Sequence, residues 1–486
     1  MPWNPYNISL TPNGAGNTMT LSGAMIKKYD VIIVGGGPAG LFAALEVVKT
    51  SDLSVLLVEK GRDIDSRQCP ARDRDIPCAA CEPCNLVCGL GGAGAFSDGK
   101  LTLSSKVGGR LVDYIGKDRT DDLIEYVDGV YLSFGASDRL FGVGDEVDGL
   151  VRSASLVELR LTPMPLRHLG TEHCRSVLKA MRDHLEPRLD ILLGTVAETV
   201  VTDDGRVSGI TTEAGDRFEC DYLVLTPGRE GADWMSREAQ RLGLTMYSNP
   251  VDVGVRVEVP VAVMEEFCDV LYEGKLEFLS PSFDDRIRTF CMCPAGEVIV
   301  ESTGGADPVI TVNGHSYADS KSDNTNFALL TSTTFTEPFR EPIAYGKYLA
   351  RLANILSGGV LVQRFGDLMQ GQRSTPARIE RGLVRPTLVS ATPGDLSFVM
   401  PYRHLAGIVE MLRAMDKLIP GVASYHTLLY GVEVKFYSGR LQLTPGLETE
   451  VGNMFAAGDG AGVSRGLIQA SASGVVAARE ILSRRG

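Results

Sequence analysis

One stretch of the sequence decides the fold: Val31-Ile32-Ile33-Val34-Gly35-Gly36-Gly37-Pro38-Ala39-Gly40. Four apolar residues of a buried strand run directly into a G-x-G-x-x-G turn, and a helical pattern follows over residues 41–49. A second apolar run, residues 55–58, ends at Glu59. Because a strand, a glycine turn, a helix and a second strand tipped by an acid form a dinucleotide-binding unit, the sequence predicts such a unit here.

The residues of this turn have distinct predicted roles. Gly35 permits the tight turn, Gly37 lets the backbone approach a pyrophosphate, and Gly40 allows the helix and strand to pack closely. The helix N-terminus at Pro38-Ala39 supplies partial positive charge to the pyrophosphate. Glu59 is expected to accept hydrogen bonds from ribose hydroxyls.

Composition and charge exclude several functions. The 486 residues have a net charge of −13, so nucleic acid is not an expected partner, because the basic surface that binds it is missing. No run of about 18 apolar residues is uninterrupted, so no membrane span is predicted. Ten cysteines without a secretory signal indicate thiols, metal ligands or redox groups in a reducing cytoplasm.

The C-terminal part carries a second pattern. The sequence Asn453-Met454-Phe455-Ala456-Ala457-Gly458-Asp459-Gly460-Ala461-Gly462 precedes a helical stretch that begins at Gly466. It resembles the second FAD fingerprint of the glutathione-reductase-like flavoproteins. The resemblance implies that Asp459 binds a ribitol hydroxyl and that the helix N-terminus at Leu467-Ile468 points at the pyrimidine edge of the flavin. It therefore implies FAD as the cofactor.

Two further elements lie between the fingerprints. Residues 221–225 look like the apolar strand of that family, and they end at Thr226-Pro227-Gly228, where the family has an Ala-Thr-Gly-type turn. Residues 191–210 and 217–220 predict a meander with a hairpin turn at Asp203-Asp204-Gly205. In the family this region brings a backbone group to the adenine, here near Val196-Ala197. The candidate FAD contacts are Gly35, Gly37, Pro38, Ala39, Gly40, Glu59, Lys60, Gly92, Ala93, Gly94, Ser97, Lys100, Val196, Ala197, Thr226, Gly228, Gly458, Asp459, Gly466, Leu467 and Ile468.

A closer resemblance extends from about residue 28 to the end. Six stretches look, in order, like the bacterial and archaeal FAD-dependent dehydrogenases, whose substrates are mostly unassigned. This resemblance implies the fold more strongly than the reaction. Residues 315–319 depart from that family, which has an arginine soon after its Asn-Gly, so substrate recognition is expected to differ. The six stretches are residues 91–101, 167–171, 253–258, 289–294, 312–314 and 392–396.

We therefore predict an α/β fold. Its core is a discontinuous, glutathione-reductase-like FAD domain of the Rossmann type, into which an α+β substrate domain is inserted. The predicted FAD domain takes residues 25–110, 165–235 and 365–486, the substrate domain takes residues 111–164 and 236–364, and residues 1–24 form a flexible N-terminal segment.

Five of the ten cysteines fall within twenty residues, just before the glycine-rich residues 89–94. From Cys78 the spacing is CxxCxxCxxxC, which bacterial ferredoxins use for a [4Fe–4S] cluster. Three alternatives stay open: a zinc site, unliganded buried thiols, and a redox disulfide between Cys84 and Cys88, which the glutathione-reductase resemblance places near the flavin. The predicted cluster ligands are Cys78, Cys81, Cys84 and Cys88, with Cys69 as the alternative ligand.

Candidate catalytic residues are scattered along the chain. Arg256 is expected to pair with an acid such as Glu258, its neighbour on the same strand face. Cys291 and Cys293, two residues apart on a strand, are expected to face the same side, as buried thiols rather than site residues. The candidates for moving a proton or orienting an anion are His168, Arg256, His315 and Tyr317, with Lys100 as a further cation.

The predicted function is that of an FAD-dependent oxidoreductase acting on a small-molecule substrate, with the cysteine loop as an electron relay. Two alternatives are a flavin-linked thiol-disulfide oxidoreductase and a flavoprotein electron-transfer component with a protein partner. Only one G-x-G-x-x-G unit with a strand-tip acid is visible. The electron partner therefore stays open among a ferredoxin-like protein, a thiol and NAD(P)H.

Overall fold

In the computed structural model of the protein, the described residues form two large sheets and three small ones. Strands are numbered β1 to β22 along the chain. The structure describes residues 18–21, 24–70, 81–247, 249–302, 308–317, 321–333, 341–436 and 439–485.

The strands are β1 Thr18–Leu21, β2 Ala24–Val34, β3 Val55–Glu59, β4 Lys100–Thr102, β5 Arg160–Thr162, β6 Leu166–His168, β7 Asp190–Leu193, β8 Ala197–Asp203, β9 Arg206–Thr212, β10 Arg217–Leu225, β11 Met246–Tyr247, β12 Val251–Pro260, β13 Lys275–Leu279, β14 Arg286–Cys293, β15 Glu297–Ser302, β16 Ile310–His315, β17 Asn324–Thr333, β18 Leu361–Arg364, β19 Thr392–Pro393, β20 Leu428–Lys435, β21 Arg440–Leu441 and β22 Met454–Ala456. The helices span Pro38–Thr50, Val112–Ile115, Lys117–Ser133, Asp145–Leu156, Thr171–Leu185, Ala232–Arg241, Val261–Leu271, Pro342–Ser357, Phe365–Met369, Pro376–Glu380, Tyr402–Leu418 and Leu467–Arg485, and short 3-10 turns occupy Ile64–Ser66, Gly92–Phe96, Leu396–Phe398 and Asp459–Ala461.

The first sheet has the order β7-β3-β2-β10-β9-β8, with β1 beside β2 and β22 beside β10. Strands β7, β3, β2, β10 and β22 run parallel, and the helix Pro38–Thr50 connects β2 to β3. Residues 31–34 of β2 are buried because helices cover this part of the sheet. The predicted dinucleotide-binding unit is confirmed.

The meander is partly as predicted. Strands β8 and β9 form a hairpin whose turn lies at Asp204 and Gly205, both with positive φ. However, β7 pairs in parallel with β3 instead of joining the hairpin. Strand β7 forms the edge of the parallel sheet. An alternating apolar pattern in the sequence does not reveal this choice of partner strand.

The last helix, Leu467–Arg485, packs against the first helix, Pro38–Thr50. A Cβ atom added to Gly474 would lie 2.0 Å from the carbonyl oxygen of Ala39, so only glycine allows this approach. The packing brings the N-terminus of the last helix to the N-terminus of the first.

The second sheet has the order β19-β18-β20-β12-β17-β14-β13-β5. Its central strand, β12, is almost wholly buried and pairs antiparallel with β17 and β20. The helices Val261–Leu271, Pro342–Ser357 and Tyr402–Leu418 contribute to the apolar core around it. The mixed α/β fold with a second, largely antiparallel sheet is confirmed.

Two segments differ from the sequence interpretation. Strands β19 and β20 lie in the second sheet, although the prediction assigns residues 365–486 to the FAD domain. An apolar strand such as β20 can complete either sheet, because hydrophobic pattern does not specify the partner strand. Thr18–Leu21, within the predicted flexible segment, pairs with β2. The remaining domain boundaries stay a prediction, and residues 1–17 lie outside the described residues.

Candidate functional site

The first glycine turn closes tightly against the end of β10. Gly35 has a φ of +107°, and a Cβ there would lie 2.1 Å from the carbonyl oxygen of Thr226. The hydroxyl of Thr226 donates to the carbonyl oxygens of Val34 at 3.0 Å and Gly35 at 2.8 Å. Thr226 therefore fixes this turn although its triplet departs from the Ala-Thr-Gly pattern.

The second glycine-rich run lies directly over the turn. The amide of Gly91 donates to the carbonyl oxygen of Gly36 at 2.8 Å, and a Cβ on Gly92 would lie 2.9 Å from the Cα of Gly37. A Cβ on Gly94 would lie 2.8 Å from the side chain of Leu467. The two glycine-rich runs and the N-terminus of the last helix therefore meet at one place.

This place fits FAD. The helix Pro38–Thr50 begins at Gly37 without a side-chain cap, so its first amide groups remain available to an anion. Side chains on the facing glycines would fill the space a pyrophosphate needs. We name this region the nucleotide cradle and define it as residues 35–40, 91–94, 226–228 and 458–459.

Glu59, which is predicted to accept hydrogen bonds from ribose hydroxyls, also accepts several hydrogen bonds within the protein. Its Oε2 accepts from the amide of Gly36 at 2.8 Å, and its Oε1 accepts from the amides of Gly61 at 2.8 Å and Gly89 at 3.0 Å. A carboxylate offers about four acceptor sites, so about one remains for a ribose hydroxyl. The buried Glu59 thus also ties the cysteine-rich loop to the cradle.

Asp459 lies at the opposite side of the cradle. A Cβ on Gly458 would lie 3.0 Å from the Cβ of Ala39, so the second fingerprint contacts the first. The carboxylate of Asp459 accepts from the hydroxyl of Ser464 at 2.6 Å and from Arg229 at 3.3 Å. Its side chain is 21% exposed and so remains accessible to a ribitol hydroxyl.

Other predicted FAD contacts are distributed around the cradle. Val196 follows Thr195, whose amide donates to the carbonyl oxygen of Glu59 at 3.1 Å, and Ala197 begins β8. Lys60 pairs with Glu230 at 3.7 Å. The hydroxyl of Ser97 donates to the carbonyl oxygen of Gly94 at 2.9 Å. These positions surround the cradle, and their contacts with FAD stay a prediction.

The cysteine-rich loop is wrapped around a buried arginine. The guanidinium of Arg67, which sequence reasoning missed, donates to the carbonyl oxygens of Asn85, Leu86, Leu90 and Gly92 at 2.8–2.9 Å. Backbone carbonyls carry no sequence signal, so only the structure finds this residue.

The thiols of this loop have unequal surroundings. Cys88 is buried, which raises the pKa of its thiol to about 12, whereas Cys69, Cys81 and Cys84 are partly exposed. Cys78 lies outside the described residues. The structure therefore gives no support to a [4Fe–4S] cluster, and it does not test Cys78 as one of the four predicted ligands.

Lys100 lies in a group of charged side chains rather than at a phosphate. Its Nζ donates to Asp98 at 2.9 Å, to Glu273 at 2.8 Å and to the carbonyl oxygen of Met292. Three acceptors use all three N–H donors of an ammonium group. Burial opposes this charge, but Asp98 and the other nearby anions raise the pKa of Lys100.

Arg256 is buried in the second sheet and pairs with Glu433, not with Glu258 as predicted. Two N–H groups bind Glu433 at 2.7 and 2.8 Å, and the others reach the carbonyl oxygen of Cys291 at 2.7 Å and the side chains of Asn313 and Asn326 at 3.1 Å. Glu433 is far away in sequence and became a neighbour through strand pairing of β12 with β20. All five donors are used, so Arg256 positions the strands around it.

His168 and Tyr272 stack beside Lys100. Their ring centroids are 4.3 Å apart, and His168 lies opposite Lys100 in the β4–β6 pair. Burial lowers the pKa of His168 to about 4, so its ring is neutral at neutral pH. Its Nε2 is buried and has no hydrogen-bond partner among the described residues.

His315 and Tyr317 are neighbours at the end of β16, with ring centroids 4.8 Å apart. Burial is the main cause of the lowered pKa of His168, and His315 is the last of its electrostatic contributors. We name the whole assembly the polar cluster. It consists of Asp98, Lys100, His168, Arg256, Tyr272, Glu273, Cys291, Cys293 and His315.

The polar cluster adjoins the nucleotide cradle on two sides. On one side Asp98 is only four residues beyond Gly94 along the chain. On the other, Arg229 contacts Asp459, and the charges of Lys435 and Arg229 lower the pKa of Glu301 against the effect of burial. Glu301 is joined to Arg256 of the cluster through Asn313, which donates to Glu301 at 3.0 Å and accepts from Arg256 at 3.1 Å. A molecule bound in the cluster would therefore lie beside a cofactor in the cradle.

These features define a protein with an FAD-dependent oxidoreductase fold. Residues 30–68 match the family described as FAD binding domain, and residues 250–436 match the family described as FAD-dependent protein, C-terminal domain-like. Both matched families are described as FAD-binding or FAD-dependent, and together they support FAD as the cofactor of this fold. No helix within the described ranges is long and apolar enough to cross a bilayer.

Two relatives in sequence are similar to this chain. An uncharacterized protein of Clostridium beijerinckii is 26% identical over 95% of this chain and 82% of its own length. The mitochondrial electron transfer flavoprotein-ubiquinone oxidoreductase of Arabidopsis thaliana is 41% identical over 71 residues, which are 13% of this chain and 11% of that protein.

Solved structures resemble the chain at low identity. L-proline dehydrogenase from P. horikoshii is 11% identical with a TM-score of 0.41, covering 94% of each chain. Glycine oxidase from Geobacillus kaustophilus is 13% identical with a TM-score of 0.38, covering 94% of this chain and 95% of that chain.

Proposed function

We propose that the chain is an FAD-dependent oxidoreductase that acts on a small molecule bound in the polar cluster. Two connections between the cradle and this cluster carry the proposal. Residues 94–100 lead directly from the cradle into the cluster, and Arg229, which contacts Asp459, acts on Glu301, which is joined to Arg256 through Asn313. A pure electron carrier needs an accessible flavin but no such group of buried charges beside it.

Bound FAD would supply two-electron chemistry at this site. The protein side chains have separate roles. The unpartnered Nε2 of His168 accepts or donates a proton in a hydrogen bond to substrate, since its ring is neutral at neutral pH. Arg256 and Lys100, whose donors are used internally, hold strand β14 and the segment at Asp98 in place. His315 and Tyr317 lie at the end of β16 as further contacts.

The cysteine-rich loop remains a proposed electron relay. If Cys78, Cys81, Cys84 and Cys88 hold a [4Fe–4S] cluster, with Cys69 as the alternative ligand, anaerobic protein should contain about four iron and four sulfide per chain. Protein free of iron but rich in zinc would assign the loop to a structural metal.

The cofactor and the reaction need separate experiments. Asp459→Ala should lower FAD occupancy, because the ribitol loses a charged acceptor worth about 1.5–3 kcal/mol, and an unchanged visible spectrum would contradict the assignment. Anaerobic mixing of the holoprotein with thiols, NAD(P)H or reduced ferredoxin should then bleach the flavin absorbance with one of them. His168→Phe should slow that reduction while leaving FAD occupancy unchanged.

A further inference from the structure

Cys291 and Cys293 lie on a distorted part of β14. The strand pairs with β17 at Phe290 opposite Ala328 and again at Cys293 opposite Asn326, so one extra residue is inserted on β14. Cys291 has a φ of +39°, a conformation that residues other than glycine rarely adopt. Such a bulge bends the strand and re-aims its side chains.

The bulge brings the two thiols together. In a regular strand the Cα atoms of residues i and i+2 are about 6.6 Å apart, at the upper end of the range that a disulfide bridges. Here both sulfur atoms and a carboxylate oxygen of Asp98 lie within 4.8 Å of one another. Cys291 is partly exposed and Cys293 is buried. One cysteine of the pair is therefore partly exposed, and the other is its close, buried neighbour.

The charges around the pair stabilise a thiolate at Cys291. The thiol of Cys293, the ammonium of Lys100 at 3.9 Å and the guanidinium of Arg256 lower the pKa of Cys291, while burial and Asp98 oppose them. The pKa of Cys293 is raised, chiefly by the hydrogen bond to Cys291. Burial instead raises the pKa of Cys174, Cys220 and Cys268 to about 12. The remaining titratable groups of the polar cluster are Glu273, His168, Tyr272 and His315.

We propose that Cys291 and Cys293 form a reversible dithiol–disulfide pair that exchanges with a small disulfide, with Cys291 as the nucleophile and Cys293 as the resolving thiol. The inference rests on the proposed function and narrows its substrate class to disulfides. It differs from the Cys84–Cys88 alternative, because burial raises the pKa of Cys88 to about 12 although the charge of Lys60 opposes it, whereas Lys100 and Arg256 help to lower the pKa of Cys291.

The exchange proceeds in two balanced steps. The Cys291 thiolate attacks one sulfur of the substrate, the S–S bond breaks, and one substrate thiolate leaves and takes a proton from water. Cys293 then loses its proton to water and attacks the Cys291 sulfur, which releases the second substrate thiolate. Two electrons have passed from the dithiol to the substrate, and bound FAD in its reduced form would supply the two electrons that restore the dithiol.

The test uses the reduced holoprotein and the aromatic disulfide 5,5′-dithiobis(2-nitrobenzoate), with peptide mass mapping of the products. The wild type should acquire a Cys291–Cys293 disulfide and release two nitrobenzoate thiolates from this pair. C293S should keep one nitrobenzoate adduct on Cys291, and C291S should leave Cys293 unmodified on the same time scale. C220S, which changes a buried thiol of the first sheet, should behave as the wild type does.

A pH profile separates a nucleophile from a merely accessible thiol. In C293S, adding K100M should slow modification of Cys291 at pH 7, since removing the ammonium raises the pKa of this thiol, and the rates should converge at high pH. Equal rates at pH 7, or stable adducts on both wild-type cysteines without a disulfide, would overturn the proposal.

The failure of this inference and that of the proposed function are distinguishable. FAD-loaded protein whose Cys291 does not react would overturn the dithiol pair and leave the oxidoreductase intact. Protein that forms the disulfide but binds no FAD would overturn the proposed function. If both hold, adding two electrons per flavin anaerobically should convert the disulfide back to two alkylatable thiols.

Discussion

The nucleotide cradle and the polar cluster are built in different ways. The cradle depends on backbone: glycines that approach one another, an uncapped helix N-terminus and a turn fixed by Thr226. The cluster depends on side chains that come from β4, β6, β12, β14 and β16 and that satisfy one another's charges. A site built from backbone groups is determined by a short stretch of sequence, whereas a site built from side chains is assembled only when the sheets form.

The largest effect should come from the centre of the polar cluster. Arg256→Met removes the bidentate partner of the buried carboxylate of Glu433 and leaves it only Lys435 at 3.2 Å, which should lower the free energy of unfolding by about 3–5 kcal/mol. Chemical denaturation followed by circular dichroism measures this change. If the loss of structure is confined to the polar cluster, the variant should still bind FAD but should lose its reactivity toward substrate.

Two controls sharpen this prediction. Arg286→Met removes a side chain of the same sheet that is 59% exposed, and it should cost less than about 1 kcal/mol. Arg256→Met combined with Glu433→Leu should recover part of the loss, because an apolar pair has no unpaired charge. A double variant as unstable as the single one would show that the polar contacts to Asn313 and Asn326 matter more.

The next effect tests the cysteine-rich loop beside the cradle. Arg67→Met leaves buried carbonyl oxygens without donors, so the midpoint of thermal unfolding should fall and proteolysis after residue 81 should accelerate, for a cost of about 3 kcal/mol. Arg62→Met, an exposed neighbour, should have little effect. If a metal chelator opens the loop and Arg67→Met does not, a metal rather than Arg67 organises it.

The contrast explains what could be predicted from sequence. The turn at residues 35–40 and the Gly458-Asp459 fingerprint need specific residues at fixed spacing, so their fold was predictable. Arg256 was selected as a candidate, but its partner Glu433 lies in β20 and only strand pairing reveals it. Cysteine clustering drew attention to residues 78–88, whereas Cys291 gains its charged neighbours from β4 and β12. No motif or residue clustering in the local sequence marks Asp98 or Glu273 as a site residue.

A pH-dependent effect should distinguish the cluster from the cradle. Burial lowers the pKa of His168 from 6.5 to about 4, so below pH 6.5 the unfolded chain binds a proton that the folded protein does not bind until about pH 4. The wild type therefore loses stability as pH falls through this window, and His168→Phe avoids that loss. The two proteins should differ by about 1–3 kcal/mol more at pH 4.5 than at pH 8.

Denaturation at a series of pH values measures this difference. His173→Gln changes an exposed histidine of the helix Thr171–Leu185 and should keep the pH dependence of the wild type. Parallel curves for the wild type and His168→Phe would show that His168 is charged in the folded protein, and the proposed neutral role would then be wrong.

The smallest effect should come from the cradle side, at the N-terminus of the last helix. Leu467 lies over Gly94, and the helix it begins carries partial positive charge at that end. Leu467→Glu adds a negative charge there, which disfavours electron uptake by a flavin in the cradle. An interaction of about 0.3–1 kcal/mol corresponds to a two-electron midpoint potential lower by about 5–20 mV. Leu467→Gln, of similar shape and neutral, should shift the potential less, and equilibration with reference dyes measures both. A potential that rises in Leu467→Glu would mean that this helix does not face the flavin, and the cradle would then need a different cofactor orientation.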